Sequence, residues 1–295
     1  MTAVITAFDP GEGLLAVVAS VLGQVNSVVV VDDGSRAAGA LRVLGACERL
    51  GCSVLRRGDN GGIAAALNSG VAQALSAAVP PSDVLTLDQD SEIPKGYVAA
   101  AVLAREAAER CGIRVGMTAP ERVSGLPRRV RGSRDGVLLG GEPIQSGLLV
   151  PSSVLRTVGR FDESLFIDGV DSDFYLRCLD AGLAVVLVPG TTLAHRLGSR
   201  HPVRFLGRPL VLRGSGVEVT HARPFRYYYL TRNRIALVRA HARRHPGWAA
   251  GQLLGLARHL ALVLTLVPGR GERARWVLHG IRDGVRGVSG RAPAR

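Results

Sequence analysis

The sequence is poor in lysine, in paired cysteines and in the glycine signature of dinucleotide binding. Lys95 is the single lysine, so almost all positive charge is arginine. Cys47, Cys52, Cys111 and Cys178 stand in separate segments without a C-x-x-C. That argues against a clustered thiolate metal site and favours free thiols in a reducing compartment. No G-x-G-x-x-G follows the first apolar run, because "PGEG" after Phe8 is too short, which argues against a dinucleotide oxidoreductase. No basic leader precedes "TAVITAF", so the expected location is cytosolic. No internal repeat stands out.

Hydrophobic residues make up 47% of the 295, enough for a sizeable core and against disorder. The length favours one large domain, or one domain with an appendage. Charge is unevenly divided. Residues 201–295 hold 18 arginines against Glu218, Glu272 and Asp283, a net of +15 within a total of +13. A near-neutral body therefore carries a strongly basic last third, of the kind that meets phosphates on nucleic acid or on an anionic membrane.

Strand-like runs at 3–8, 27–35, 52–56 and 83–88 alternate with helical stretches at 12–23, 38–50, 61–77 and 96–110. This rhythm predicts an α/β fold with a parallel sheet between helix layers. Residues 120–136 read as a loop, 144–151 and 184–190 as strands, 171–181 as a helix, and 223–245 as a basic helix with an aromatic start. The segment 247–267 is long enough for a membrane span, but Arg258 and His259 interrupt its middle. A helix lying in the headgroup layer fits it better. Packing on the domain, or on a second copy in a homo-oligomer, is the competing account.

Ligands of such sheets gather at the carboxyl ends of the strands. Thr6, Asp32, Asp33, Asp88 and Asp90 all fall there. Taken singly the motifs are ordinary: "VDDGS" is turn chemistry, "DQD" suits a solvated loop, and Asp171 could cap the helix it begins. Two carboxylates flanking one residue at a strand end could also share a ribose and a hard divalent cation.

In combination and in order, "VDDGS", "DNGGIAAALNSG", "LDQDS", "QSGLLVP", "FDESLFIDGVDSDFYLR" and "AHRLG" resemble the inverting family 2 glycosyltransferases of the GT-A fold, and within them the rhamnosyltransferase branch. The resemblance covers about residues 4–201 and weakens through "RYYYLTRNRI". It implies a GT-A domain over 1–200 followed by a basic helical region over 201–295. It also implies that Thr6, Asp32, Asp33, Asn60, Gly62 and Asn68 serve the nucleotide side, with Asn68 open to a structural role. Asp88 would lie near ribose, Ser146 and Gly147 would border the donor sugar, and Asp90 and His195 would ligate Mg²⁺ or Mn²⁺. Asp171 matches the catalytic base, although Val170 stands where many relatives carry a second acid. The implied donor is a nucleotide sugar such as dTDP-L-rhamnose, and the acceptor a glycan or lipid-linked glycan of cell-wall or surface polysaccharide, at the cytosolic membrane face. A Q-x-x-R-W has no counterpart beyond "ERARW", which favours transfer of a single sugar over processive synthesis.

Two rivals remain at this stage. A nucleotidyltransferase would use the same acids on a nucleoside triphosphate. A nucleic-acid binder would use the basic block and Tyr227–Tyr229 for stacking, but it leaves the acids unexplained, so no nucleic-acid partner is expected.

Overall fold

Runs of β-branched residues build the centre of the first sheet. In "SVVVVD" the four valines Val28–Val31 are at most 4% exposed, as befits a strand covered on both faces. The computed structural model describes residues 1–195, 199–202, 204–205, 208–209, 211–212, 215–216 and 218–292. These cluster into two units, one of Met1–Phe166 with Val170–Arg196 and one of Ile167–Gly169 with Leu197–Arg295.

The first unit begins with β1 (Thr2–Ala7), α1 (Gly13–Val21), β2 (Ser27–Asp32), α2 (Ala38–Arg49), β3 (Ser53–Arg56), α3 (Ile63–Leu75) and β4 (Asp83–Asp88). There follow β5 (Ser91–Glu92), α4 (Tyr97–Arg110), β6 (Val115–Val123), β7 (Val130–Arg134), β8 (Val137–Gly140), β9 (Leu148–Pro151), α5 (Ser152–Val158), α6 (Val170–Asp180) and β10 (Ala184–His195). The strands lie in the order β3-β2-β1-β4-β9-β6-β10-β8-β7, and β5 pairs with β10. β1 to β4 run parallel, β9 is antiparallel to β4 and β6, and β10 is parallel to β6. The mostly parallel sheet expected from the alternation is thus present. α3 lies tightly on it at Gly70, where a side chain would run into Val4 and Val31.

The sequence predicts a loop over 120–136, and this is where the fold departs most from expectation. β6 continues to Val123, and β7 and β8 form a hairpin through Asp135 (φ +50°) and Gly136 (φ +79°). An Asp-Gly pair of this conformation suits the twist of a two-residue hairpin turn. All five β7 residues are exposed, so no alternation of apolar and polar positions marks the strand. The strand expected at 144–151 is confined to Leu148–Pro151, because Gly147 takes a positive φ of +82°. The strand expected at 184–190 extends to His195.

The second unit contains α7 (Arg226–His241), α8 (Pro246–Leu266) and α9 (Arg270–Arg286), with an antiparallel pair formed by Ser199–Pro202 and Glu218–His221. α7 and α9 pack closely because Gly280 faces Tyr228 and Thr231, and Gly284 faces the Arg232 carbonyl. Tyr227, Tyr228 and Tyr229 are buried. Arg226 grips the Asp168 carboxylate through Nε and Nη2 at 2.7–3.1 Å, and Asn233 Nδ2 donates to the Ile167 and Asp168 carbonyls at 2.7 Å. α8 is long and apolar enough to cross a membrane by length and composition, with mean hydropathy 1.4 and only 11% of that stretch buried. Leu253, Leu254 and Leu262 are exposed along it.

Candidate active site

Parallel register brings the strand ends together. Ala7 lies beside Asp32, and Thr6 beside Asp88, so the carboxyl ends of β2, β1 and β4 form one edge. Thr6 Oγ1 donates to the Leu87 carbonyl at 3.5 Å. Asp32 accepts the Ser35 N–H at 3.1 Å, closing the turn after β2. Asp33 is 4% exposed and accepts the N–H groups of Gly61 at 3.1 Å and Gly62 at 2.8 Å, with Arg57 Nε at 3.2 Å. Burial raises its pKa, against the opposing pull of those two N–H groups and of Arg57. Asn60 Oδ1 accepts the Gly62 N–H at 3.1 Å. Gly62 itself needs φ +89° and has no room for a side chain against the Phe166 ring, while Ile63 N–H donates to the Phe166 carbonyl at 2.8 Å. One corner thus joins Thr6, Asp32, Asp33, Asn60 and Gly62.

A second corner forms beyond β4. Pairing of β5 with β10 sets His195 opposite Ser91, whose Oγ lies 2.7 Å from His195 Nδ1. Asp90 Oδ1 is 3.6 Å from the same nitrogen. Ligand atoms of Asp88, Asp90 and His195 all lie within 4.8 Å of one another. Two carboxylates and an imidazole form a donor set that fits Mg²⁺ or Mn²⁺, so Asp88 joins the pair the sequence had singled out. Ser146 Oγ accepts the Asp88 N–H at 3.0 Å. Gly147 N–H donates to the Thr86 carbonyl at 2.8 Å, and its own carbonyl accepts the Tyr97 hydroxyl at 2.5 Å. Beside Ser146 opens a cavity of about 40 Å³, walled by Ala119, Pro120, Arg129, Pro143 and Ile144.

Asp171 lies in the first turn of α6, where its Oδ1 accepts the Ser172 N–H at 2.8 Å. The chain reaches it from Phe166, which the Ile63 contact ties to the nucleotide-side corner. Asn68 is a different matter. Its Nδ2 donates to the Phe161 carbonyl at 2.9 Å and Glu163 Oε1 at 2.7 Å, and its Oδ1 accepts the Phe161 N–H at 2.9 Å. These bonds commit its amide to the 161–163 segment, the structural role left open above. Sequence reasoning passed over Arg57, Gly61 and Ser91. Gln89, the residue inside the D-x-D that the resemblance to the rhamnosyltransferase branch rests on, accepts the Phe8 N–H through Oε1 at 2.8 Å and so ties the loop after β1 to that after β4.

Residues 2–131 match the family described as glycosyl transferase family 2. Over that segment the chain is similar to the family 2 glycosyltransferases. A similar curated protein is the "dTDP-rhamnosyl transferase RfbF" of Shigella flexneri, 28% identical over 149 residues, which are 50% of this chain and 46% of that protein. The chain thus matches about half the length of that relative. Among solved structures, TarS 1–349 of S. aureus in complex with UDP-GlcNAc superimposes with a TM-score of 0.56 at 14% identity, over 97% of this chain and 81% of that one. The longer TarS chain gives 0.51 at 12% identity, over 96% of this chain and 43% of that one. These likenesses show the GT-A fold of this chain.

Proposed function

We propose that this glycosyltransferase moves a single deoxyhexose, rhamnose from dTDP-L-rhamnose, with inversion, onto a glycan or lipid-linked acceptor of cell-wall or surface polysaccharide. The observation that carries the reading is the convergence of Asp88, Asp90 and His195 from β4, the loop after it and β10. The name of the 28%-identical Shigella relative supports the donor.

A divalent ion held by Asp88, Asp90 and His195 would supply charge neutralisation at the leaving diphosphate. Asp33 holds the Gly61–Gly62 turn, and with Thr6, Asp32 and Asn60 it orients the nucleoside. Asp171 accepts the acceptor hydroxyl proton as that oxygen bonds to the anomeric carbon and the bond to the nucleoside diphosphate breaks. A single displacement inverts the anomeric centre. The exposed apolar residues of α8, flanked by Arg243, Arg244, Arg258 and Arg270, suit a peripheral contact with an anionic membrane at the cytosolic face.

The test is a thermal-shift screen of nucleotide sugars with and without Mn²⁺, followed by analysis of the released product. Selective stabilisation by dTDP-L-rhamnose and release of dTDP support the reading. Release of pyrophosphate from a nucleoside triphosphate would replace it with nucleotidyl transfer.

A further inference from the structure

Gln145 precedes Ser146 in the turn that enters β9, and it is 5% exposed. Its backbone is well held, since its carbonyl accepts the Thr86 Oγ1 hydrogen at 2.6 Å. Its side chain is not: among the described residues neither Oε1 nor Nε2 finds a hydrogen-bond partner, and both atoms are buried. Gln73 also has a buried orphan oxygen, but its Nε2 donates to Ser53 Oγ at 2.7 Å. In Gln145 the whole amide is orphaned.

Leaving a buried amide unbonded costs on the order of 1–3 kcal/mol per group, so such a residue is poor design for a purely structural position. An apolar residue of the same shape would serve a structural role better. Location says what the amide is for. In the order β2-β1-β4-β9, the nucleoside-side residues lie at the ends of β2 and β1, and the Asp88–Asp90–His195 group follows β4. Gln145 leads into β9, on the side of Asp88 away from the nucleoside, one residue from the hydroxyl that fixes the Asp88 N–H. The next part of a nucleotide sugar beyond its diphosphate is the sugar.

We propose that Gln145 is a specificity-determining residue that reads the hydroxyl pattern of the donor sugar. An amide presents one acceptor and two donor hydrogens together, which matches two neighbouring hydroxyls of a pyranose and offers nothing to a methyl group. The inference rests on the functional reading above and adds to it the residue that recognises the transferred group. It assigns the neutral sugar, rather than the diphosphate or the base, to this side chain.

Gln145→Met tests it, because methionine keeps length and volume while removing both polar ends. With the donor found by the thermal-shift screen, kcat/KM for sugar transfer should fall about 10- to 100-fold, as two neutral hydrogen bonds are lost. Affinity for the nucleoside diphosphate alone should stay within about twofold. The Tm without ligand should equal or exceed that of the unaltered protein. Unchanged kcat/KM overturns the proposal. So does an equal loss of nucleoside diphosphate affinity, or a lower Tm, each of which marks a nucleotide contact or a structural amide. If the unaltered protein is stabilised by no nucleotide sugar, the functional reading and this inference fall together. If it is stabilised and Gln145→Met behaves identically, only the inference falls.

Discussion

The two units handle charge in opposite ways. In the first, the notable charges are acids at the carboxyl ends of strands, satisfied by backbone N–H groups, as Asp33 is by Gly61 and Gly62. In the second, arginines are buried against carbonyls and aromatic rings. Arg273 is 2% exposed, donates to the Val263 and Pro268 carbonyls at 3.2 Å, and lies 5.2 Å over the Tyr227 ring. Arg232 is 1% exposed and sits over Tyr228 and Tyr229. A net charge of +15 therefore overstates the positive surface, because part of it is internal scaffolding. Conversely, the near-neutral body conceals a local acidic cluster. Net charge counts residues; function depends on which of them remain open to a partner.

The sharpest way to test this contrast is at the acids. Asp171→Asn should lower kcat by about 10³-fold while leaving donor affinity nearly unchanged, since a general base acts in the transition state. Steady-state kinetics with a fixed acceptor would check it, and an unaltered kcat would remove Asp171 from the reaction. Asp90→Ala should abolish the Mn²⁺-dependent part of donor stabilisation, worth up to about 2.7 kcal/mol at a hundredfold excess of donor over Kd. Thermal shift with and without metal reads this directly.

At the second unit, the contrast predicts losses of stability rather than of chemistry. Gly280→Val forces a side chain against Tyr228 and Thr231 and should cost about 1–3 kcal/mol in denaturant unfolding, with donor binding retained. Arg243→Glu with Arg244→Glu alters exposed positions and should leave Tm within a degree or two. It should weaken sedimentation with anionic vesicles, at about 1 kcal/mol for each charge removed. If vesicle binding survives this change but fails in Arg273→Met, the internal and external arginines have been assigned the wrong way round.

The smallest effect concerns His259, which stacks on Tyr227 with ring centroids 5.8 Å apart. Burial, with Arg273 and Arg258 nearby, lowers its pKa from an ordinary 6.5. The unfolded chain then takes up the proton before the folded one does. The stability it contributes is full above about pH 6.5 and declines as pH falls toward the lowered folded value. His259→Phe keeps the stack and should flatten this slope; a slope unchanged in urea titrations between pH 5 and 7 would assign it to another group.

The parallel half of the first sheet was legible in the sequence, because runs such as "VVVV" can only be buried strands and Ala-rich stretches between them only helices. The acids at strand ends were legible for the same reason, since the apolar runs stop where Asp32 and Asp88 begin. The β7–β8 hairpin was not, because its first strand is exposed and polar. α9 was not resolved as a separate helix, because its dense arginines conceal the small-residue face of Gly280 and Gly284. At the site, Asp90 and His195 could be paired only by resemblance, being more than a hundred residues apart. Asn68 showed the reverse: a residue of a recognisable motif whose amide is spent on Phe161 and Glu163.

By itself the sequence determined where strands end and which charged residues stand there, because hydrophobic pattern and side-chain chemistry are local properties. The tertiary structure alone decided which of those charges meet. β5–β10 pairing carries His195 to Asp90, the β9 turn delivers Ser146 to Asp88, and Gln145 is left with a buried amide that has no partner among the described residues. Such meetings depend on register between strands far apart in the chain, which no local pattern of residues encodes.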